Sequence, residues 1–419
     1  MVQLYSICSN GNRVVSGEVN SKLQEEPEVR IRSYDGKKDC TRIGDLERSC
    51  VVGPADGASL FTDTLGDPIC RIRNSPTYIM LVAELEEELI GVIQGSIKVV
   101  AIRNPPWNLA KLGYILGLRV DPTHRRKGVG LTLVHSLEEW FVSNGAEYAY
   151  MATEKDNEAS TRLFMDRLGY IQFRTPSILV NPVNKCRGLL RISSGIEIKK
   201  LGREHALLMY KRCMGSAEFF PEDMDAILEN KLSLGTWVAY YKDDPYKDNS
   251  TNDDGSRHAP ANWAAVSVWN SGELFKLRLG NAPLSYTAYT KISKLMDRFL
   301  PCFGVPSIPD FFSPFGFYFI YGIYSEGPMS GMLVRNLCRH VHNMAASSST
   351  SKDCKAVVTE VGDSDKNKVH IPHRKLLSCP EDLWCIKPLK EEGKGKGNLH
   401  RLLAAAPEAR SLFVDPREV

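Results

Sequence analysis

Val120-Asp121-Pro122-Thr123-His124-Arg125-Arg126-Lys127-Gly128-Val129-Gly130 is the stretch that decides how the rest of the chain is read. The β-leaning run Tyr114 to Val120 leads in and the amphipathic run Leu131 to Val142 leads out. A strand therefore passes through a basic, glycine-containing turn into a helix. The first N–H groups of a helix have no intrahelical acceptor, and the helix dipole adds about half a positive charge at the same end. Gly128 and Gly130 carry no Cβ, so an anion can approach the bare backbone. Arg125, Arg126 and Lys127 add full positive charge, and arginine suits two-pronged contact with phosphate. The plain alternative is a solvated basic turn that caps an ordinary helix.

The spacing helps to separate the two. Arg-x-x-Gly-x-Gly after a strand lacks the Gly-Lys-Ser/Thr of a P-loop and the Gly-x-Gly-x-x-Gly of a dinucleotide fold. It resembles the pyrophosphate loop of the GCN5-related N-acetyltransferase (GNAT) superfamily, written Gln/Arg-x-x-Gly-x-Gly/Ala. The next block agrees: Tyr148 to Thr153 alternates like a strand, and Asn157 opens a helix that ends near Leu168-Gly169-Tyr170. The resemblance implies an α/β domain of the α+β type, a mixed sheet flanked by helices, over residues 28–181.

Working outward, 419 residues suffice for two or three domains, and 43% apolar with 25% charged residues is ordinary for a globular protein. A net charge of +3 gives no direct nucleic-acid signal. No apolar run reaches the roughly 18 residues of a membrane helix, and Met1 to Cys8 lacks the pattern of a signal peptide. We therefore expect no membrane association, and a nuclear or cytoplasmic location. The eleven cysteines are scattered without Cys-x-x-Cys, which fits reduced thiols. No metal site is expected: His340 and His342 do not share a helix face, and Cys379 and Cys385 lack zinc-ribbon spacing.

Residues 1–27 read as a flexible extension. Val29 to Arg32 reads as a first strand, Cys40 to Cys50 as a helix, and Gly53 to Pro76 as a loop-rich lid. Tyr78 to Ala83 and Leu89 to Val100 read as an antiparallel hairpin. A last β run of this domain spans Tyr170 to Val180, and residues 182–195 form a linker. The order then repeats over 196–390. Ile196 to Lys200 is a strand, Glu204 to Cys213 a helix, and 241–262 a polar insertion read as disordered. Trp263 to Trp269 and Glu273 to Leu279 are β-like and could pair. Phe315 to Tyr321 enters Ser325-Glu326-Gly327-Pro328-Met329-Ser330-Gly331 and a helix to Ala345, followed by strands Cys354 to Val361 and Leu383 to Pro388. Glu326 would repel a pyrophosphate, so this half reads as a degenerate GNAT-like domain in tandem with the first. Residues 391–419 read as a C-terminal tail.

Ser59 to Arg73, Phe173 to Pro182, Asn230 to Thr236, Glu381 to Lys387 and Phe413 to Glu418 narrow the match. In these stretches the chain is similar to the plant HOOKLESS-type probable N-acetyltransferases, from about residue 28 onward. That family is associated with ethylene-responsive growth and has been linked to histone acetylation. The resemblance implies an acetyl-CoA-dependent N-acetyltransferase whose acceptor is an amine of a protein, such as a histone lysine, or of a small molecule. The alternative is a catalytically weak acetyl-CoA-binding regulatory scaffold. A third option is transfer of a longer acyl chain, because tandem domains of this type also build the N-myristoyltransferases.

Acetyl transfer from a thioester to an amine requires the cofactor held, its carbonyl polarised, the amine deprotonated and the thiolate protonated. By the resemblance, Gly117, Leu118, Arg119 and Val120 hold the pantetheine arm, and an N–H at the splayed end of this strand polarises the thioester. Arg125, Arg126, Lys127, Gly128, Val129 and Gly130 take the pyrophosphate. Asn157 lies near the cofactor in the superfamily, although an Asn there equally caps its helix. Phe164 stands where many relatives carry a Tyr acid; it can pack on the cofactor but cannot donate a proton. Tyr114 stands where some relatives carry a Glu base. Glu154 and His124 are the candidate bases, each also readable as an exposed polar residue. Tyr150 and Tyr170 are the candidate acids, each also readable as a core tyrosine with its hydroxyl satisfied.

Overall fold

Two large sheets and one two-stranded ribbon organise the chain, and each large sheet contains a strand from the other half of the sequence. The computed structural model describes residues 28–50, 59–103, 108–183, 189–244, 260–280, 309–348, 353–379, 381–389 and 411–419. The first half contributes β1 (Arg30–Ser33), α1 (Gly36–Ser49), β2 (Ser59–Asp63), β3 (Thr77–Leu85), β4 (Glu88–Arg103), β5 (Asn108–Val120), α2 (Val129–Ser143) and β6 (Tyr148–Glu154). It continues with α3 (Glu158–Thr161), which runs into a π-helical turn at Arg162–Arg167, then β7 (Ile171–Arg174) and β8 (Ser177–Pro182). The second half contributes β9 (Ile196–Leu201), α4 (Arg203–Met214), β10 (Phe220–Pro221), α5 (Met224–Glu229), β11 (Ser233–Tyr241), β12 (Trp263–Asn270) and β13 (Lys276–Gly280). It ends with β14 (Gly316–Glu326), α6 (Ser330–Ser347), β15 (Cys354–Val361) and β16 (Asp382–Pro388).

The first sheet runs β1-β3-β4-β5-β6-β16-β7, with β10 on β4; the second runs β8-β15-β14-β12-β11-β9. This corrects the linear division into 28–181 and 196–390. The run Tyr170 to Val180 breaks at Pro176 into β7, which stays in the first sheet, and β8, which pairs β15 in the second. Leu383 to Pro388 returns the exchange: β16 lies between β6 and β7. Alternation specifies the face a strand buries and leaves its sheet open, so either assignment suits the sequence. Likewise β12 does not pair β13. It lies between β11 and β14, and β13 pairs β2 of the expected lid, at Lys276↔Asp63 through Gly280↔Ser59.

Both faces of the first sheet are buried. On one, α2 presses Leu133, Val134, Leu137 and Phe141 against Ile93, Ile97, Ile115 and Met151. The approach is close: a Cβ at Gly95 or Gly113 would stand 2.6 Å from Leu137 or Phe141. On the other, Val92, Leu112, Tyr114, Leu116, Tyr150 and Trp384 share one core with Tyr210, Phe219, Tyr321 and Phe413 from the second half. The expected C-terminal tail is part of that core at its end, where Phe413 is 1% and Arg417 4% exposed. The linker beyond its undescribed part is strapped to α6, with Leu190 N–H on Asn343 at 2.7 Å and Ser193 N–H on Asn336 at 3.0 Å. The flexible extension 1–27 and the core of the polar insertion, 245–259, lie outside the described residues.

The two halves repeat one unit. β5 and β6 are parallel from Leu112↔Tyr148 to Ile115↔Met151, and β14 and β15 from Gly316↔Cys354 to Ile320↔Thr359. Just beyond each ladder the central strand bulges, at Gly117 (φ 62°) and Gly322 (φ 60°).

Candidate active site

The β5–β6 ladder stops at Ile115↔Met151, yet β5 continues to Val120 and β6 to Glu154. The facing edges beyond are open to a ligand. Against β4, Leu116 pairs Gln94 and Arg119 pairs Val92, so Gly117 and Leu118 together oppose Ile93. Such a bulge unpairs one residue and re-aims its backbone groups. Only glycine suits the first position, since a Cβ there would add left-handed strain and sit 3.2 Å from Gln94 Nε2. Gln94 is 4% exposed; its Nε2 donates to the Pro68 carbonyl at 3.2 Å, and its Oε1 has no hydrogen-bond partner among the described residues.

At the end of β5, Asp121 N–H donates to the Ile90 carbonyl at 2.8 Å, and the Asp121 carboxylate accepts Thr123 N–H at 2.9 Å. Arg125 Nε donates to the Val120 carbonyl at 3.2 Å, and Arg119 Nη1 to the Leu118 carbonyl at 3.0 Å. The backbone turns through Arg126 (φ 63°) and Gly128 (φ 88°), and α2 starts without a side-chain cap. The Gly128 carbonyl accepts Thr132 N–H at 3.0 Å. Among the described residues, the N–H groups of Gly128, Val129, Gly130 and Leu131 make no hydrogen bond. Arg125, Arg126, Lys127 and Gly128 are exposed around them. Four free donors, a helix dipole and three cations make an anion cradle. Val129 contributes its amide only, because its side chain is 3% exposed in the core. A Cβ on Gly130 would meet Leu118, Val120 and Leu163 at 3.7–3.9 Å, so those apolar side chains flank the cradle on the β5 side.

The second copy also joins its central strand to a helix without a side-chain cap, but through a different turn, with Gly327 at φ 90° and Met329 at φ −100°. Met329 N–H donates to Asn262 Oδ1 at 2.7 Å, and Glu326 accepts Trp263 Nε1 at 3.1 Å. The His370 ring covers Gly331, 2.3 Å from where a Cβ would stand. At the second bulge the Tyr210 ring lies 2.7 Å from a Cβ placed on Gly322. Side chains occupy there what the first copy leaves open.

Several expected site residues are placed differently from the sequence reading. Phe164 is 2% exposed and packs edge-on to Tyr170 at 5.2 Å, so it is a core ring and no cofactor surface. Tyr170 donates to Glu138 Oε1 at 2.8 Å on the α2 side of the sheet, and burial, then Glu138, hold its phenol well above the ordinary value. It is thereby removed as the acid. Tyr150 is fully buried among Tyr114, Phe219 and Trp384 and donates to Glu418, so its proton is committed too. His124 bonds Thr123 Oγ1 at 2.9 Å at the cradle end. Asn157 caps its helix, accepting Ser160 N–H at 3.2 Å. Glu154 ends β6 exposed, opposite Asp382.

The position of Phe164 gives a direct expectation. Phe164→Tyr buries a hydroxyl without a partner, at a cost of about 1–3 kcal/mol. Thermal denaturation should show Tm lowered by a few degrees, with no gain in transfer rate. A faster enzyme of unchanged stability would mean that this ring faces the sulfur after all.

Sequence reading missed a set of charged groups at the junction of the halves. Lys98 Nζ lies 2.7 Å from Glu418 and 3.7 Å from Asp415. Arg417 holds Asp415 at 2.7 Å and Asp223 at 2.6 Å. Burial works against ionisation of Asp415, but Arg417 and Lys98 hold it down to about 2. Glu360 accepts Trp384 Nε1 at 2.9 Å, and burial, then the nearby Asp382 carboxyl, push it up to about 8. Burial and then Glu154 push Asp382 up to about 7. A lone carboxylate in the apolar alternation of Cys354 to Val361 was the one available signal.

Known proteins resemble this chain along most of its length. The Acetyltransferase (GNAT) family matches residues 46–170. "Probable N-acetyltransferase HLS1-like" of Arabidopsis thaliana is 45% identical over 416 residues, covering 93% of this chain and 99% of that protein. "Acetyl transferase GW6a" of Oryza sativa subsp. japonica is 36% identical over 432 residues, covering 93% and 97%. Among solved structures, Saccharomyces cerevisiae N-myristoyltransferase with bound myristoyl-CoA superposes with a TM-score of 0.53 at 11% identity, over 88% of this chain and 81% of that one, a likeness of fold. No helix among the described residues is long and apolar enough to cross a membrane.

Proposed function

Since the chain belongs to the GNAT N-acetyltransferases, with its plant relatives of the probable N-acetyltransferase HLS1 type, we propose that it transfers an acetyl group from acetyl-CoA to an amine of a protein or small molecule. The observation that carries this is the contrast between the two loops: the donors of Gly128 to Leu131 are free, while the equivalent region of the second copy is filled by Asn262 and His370. On this reading the diphosphate sits on Gly128, Val129 and Gly130 between Arg125, Arg126 and Lys127. The pantetheine arm follows Leu118, Arg119 and Val120, and the thioester lies at the Gly117 bulge. Asn157, which caps its helix, lies near the cofactor as in the superfamily. The second half is degenerate and covers the acceptor face. By resemblance to the HOOKLESS-type proteins, the reading extends to a histone lysine as acceptor, ethylene-responsive growth as context and the nucleus as one site of action.

A catalytically weak scaffold remains the second reading, favoured by Phe164 in the core and by Tyr150 and Tyr170 bound to carboxylates. Calorimetry with acetyl-CoA and with myristoyl-CoA, together with release of free CoA thiol over a panel of lysine peptides and small amines, separates the readings. Binding with amine-dependent thiol release supports the enzyme. Binding of acetyl-CoA with no release on any amine supports the scaffold, and preference for the long chain overturns the acetyl assignment.

A further inference from the structure

We infer that Glu360, supplied by β15 of the second half, is the carboxylate that takes the proton from the incoming amine, and that the acceptor is a cationic primary amine bound at the junction of the halves. The inference rests on the acetyl-transfer reading of the open β5 edge and adds the group that completes it.

Placement comes first. Trp384 pairs Ala152, one residue past the last β5–β6 pair, and its indole N–H is held by Glu360 at 2.9 Å. Glu360 is thus tied, from across the junction, to β16, the neighbour of the strand β6 that flanks the opening. Gln94, Tyr114, Tyr150 and Trp384 share that face of the sheet, and the charges of Glu418, Arg71, Glu360 and Asp382 all bear on the Tyr114 hydroxyl. The buried, unpartnered Gln94 Oε1 beside the bulge marks a second place on this face where a ligand donor is wanted.

Chemistry then selects among the carboxylates. Glu418 and Asp415 are neutralised by Lys98 and Arg417, and Asp382 is only 6% exposed. Glu360 is partly exposed, and among the described residues it has one hydrogen bond, from a neutral indole. A carboxylate without a cation attracts an ammonium group. The groups that bear on it are Asp382 and Trp384 on β16 and Glu418 of the C-terminal segment; Glu360 in turn bears on the Tyr114 hydroxyl of β5, as does Arg71. With burial, the two carboxylates raise Glu360 to about 8, close to where a base for an amine works best. In the step itself Glu360 accepts one proton from R–NH3+. The amine nitrogen then bonds the thioester carbon, the C–S bond breaks, and the second nitrogen proton leaves with the sulfur as the thiol.

Glu360→Gln tests this, because the amide oxygen still accepts the Trp384 N–H and a merely structural role survives. We expect kcat/KM for the amine to fall about 10²- to 10⁴-fold, with acetyl-CoA affinity by calorimetry unchanged. The rise of kcat/KM with pH through about 8, where the wild-type Glu360 loses its proton and becomes able to act as base, should vanish. Glu360→Asp should recover part of the rate with a shifted limb, and it serves as the test should the Gln variant fold poorly. Wild-type rate and profile in Glu360→Gln overturn this inference while leaving acetyl transfer intact. A wild-type protein that binds acetyl-CoA and acetylates no amine overturns both.

Discussion

Gly128→Glu should weaken acetyl-CoA binding by at least about 100-fold, roughly 2.7 kcal/mol, and leave the folded protein intact. The residue is exposed, has φ 88° and has no atom within 4 Å of a built Cβ, so the neighbours do not resist a side chain. Gly128→Ala then measures backbone strain alone, about 1–2 kcal/mol, and should cost about tenfold or less. The glutamate adds a negative charge among the free N–H groups of Gly128 to Leu131, where it caps the helix itself and repels the diphosphate. Calorimetry reads the affinity and thermal denaturation the fold. Equal, small losses for alanine and glutamate would mean that no anion sits on this turn. Arg126→Ala should cost less than the glutamate, and its effect should shrink as salt is raised, since an exposed cation acts through a screened field.

That the cradle could be named from sequence follows from its locality. Strand alternation, the glycine pair and helix periodicity lie within a few turns of one another, and each is a property of neighbouring residues. The groove above Gly130 belongs to the same local unit. What escaped is long-range. Nothing in Ser177–Pro182 or Asp382–Pro388 says which sheet each joins, because both alternate correctly for either. Tyr150 and Tyr170 looked equivalent as acids, yet their faces of the sheet differ and so do their carboxylate partners. Glu360 and Glu418 come to the junction from residues far along the chain, so neither spacing nor composition could pair them with Trp384 or Tyr150.

The final segment is where that long-range order should prove most costly to disturb. Removing residues 412–419 should leave a chain that does not unfold cooperatively and expresses as aggregate. Leu412, Phe413 and Val414 are 8%, 1% and 5% exposed, and burial of such side chains contributes about 1.5–3 kcal/mol each. Phe413 packs edge-on to Phe220 at 5.4 Å, and its N–H donates to the Glu218 carbonyl at 2.8 Å. The deletion also strands Lys98, 5% exposed, without Glu418 and Asp415; an uncompensated buried charge costs about 3–5 kcal/mol. Together these reach the whole stability of an ordinary domain, about 5–15 kcal/mol. Paired substitutions separate charge from packing. Lys98→Met alone should destabilise strongly, whereas Lys98→Met with Glu418→Gln should recover much of the loss, because glutamine still accepts the Tyr150 hydroxyl and no charge is orphaned. Chemical denaturation of the single and double variants decides it. A double variant as unstable as the sum of its singles would mean that the segment is held by packing around Phe413 and that the ion network adds nothing.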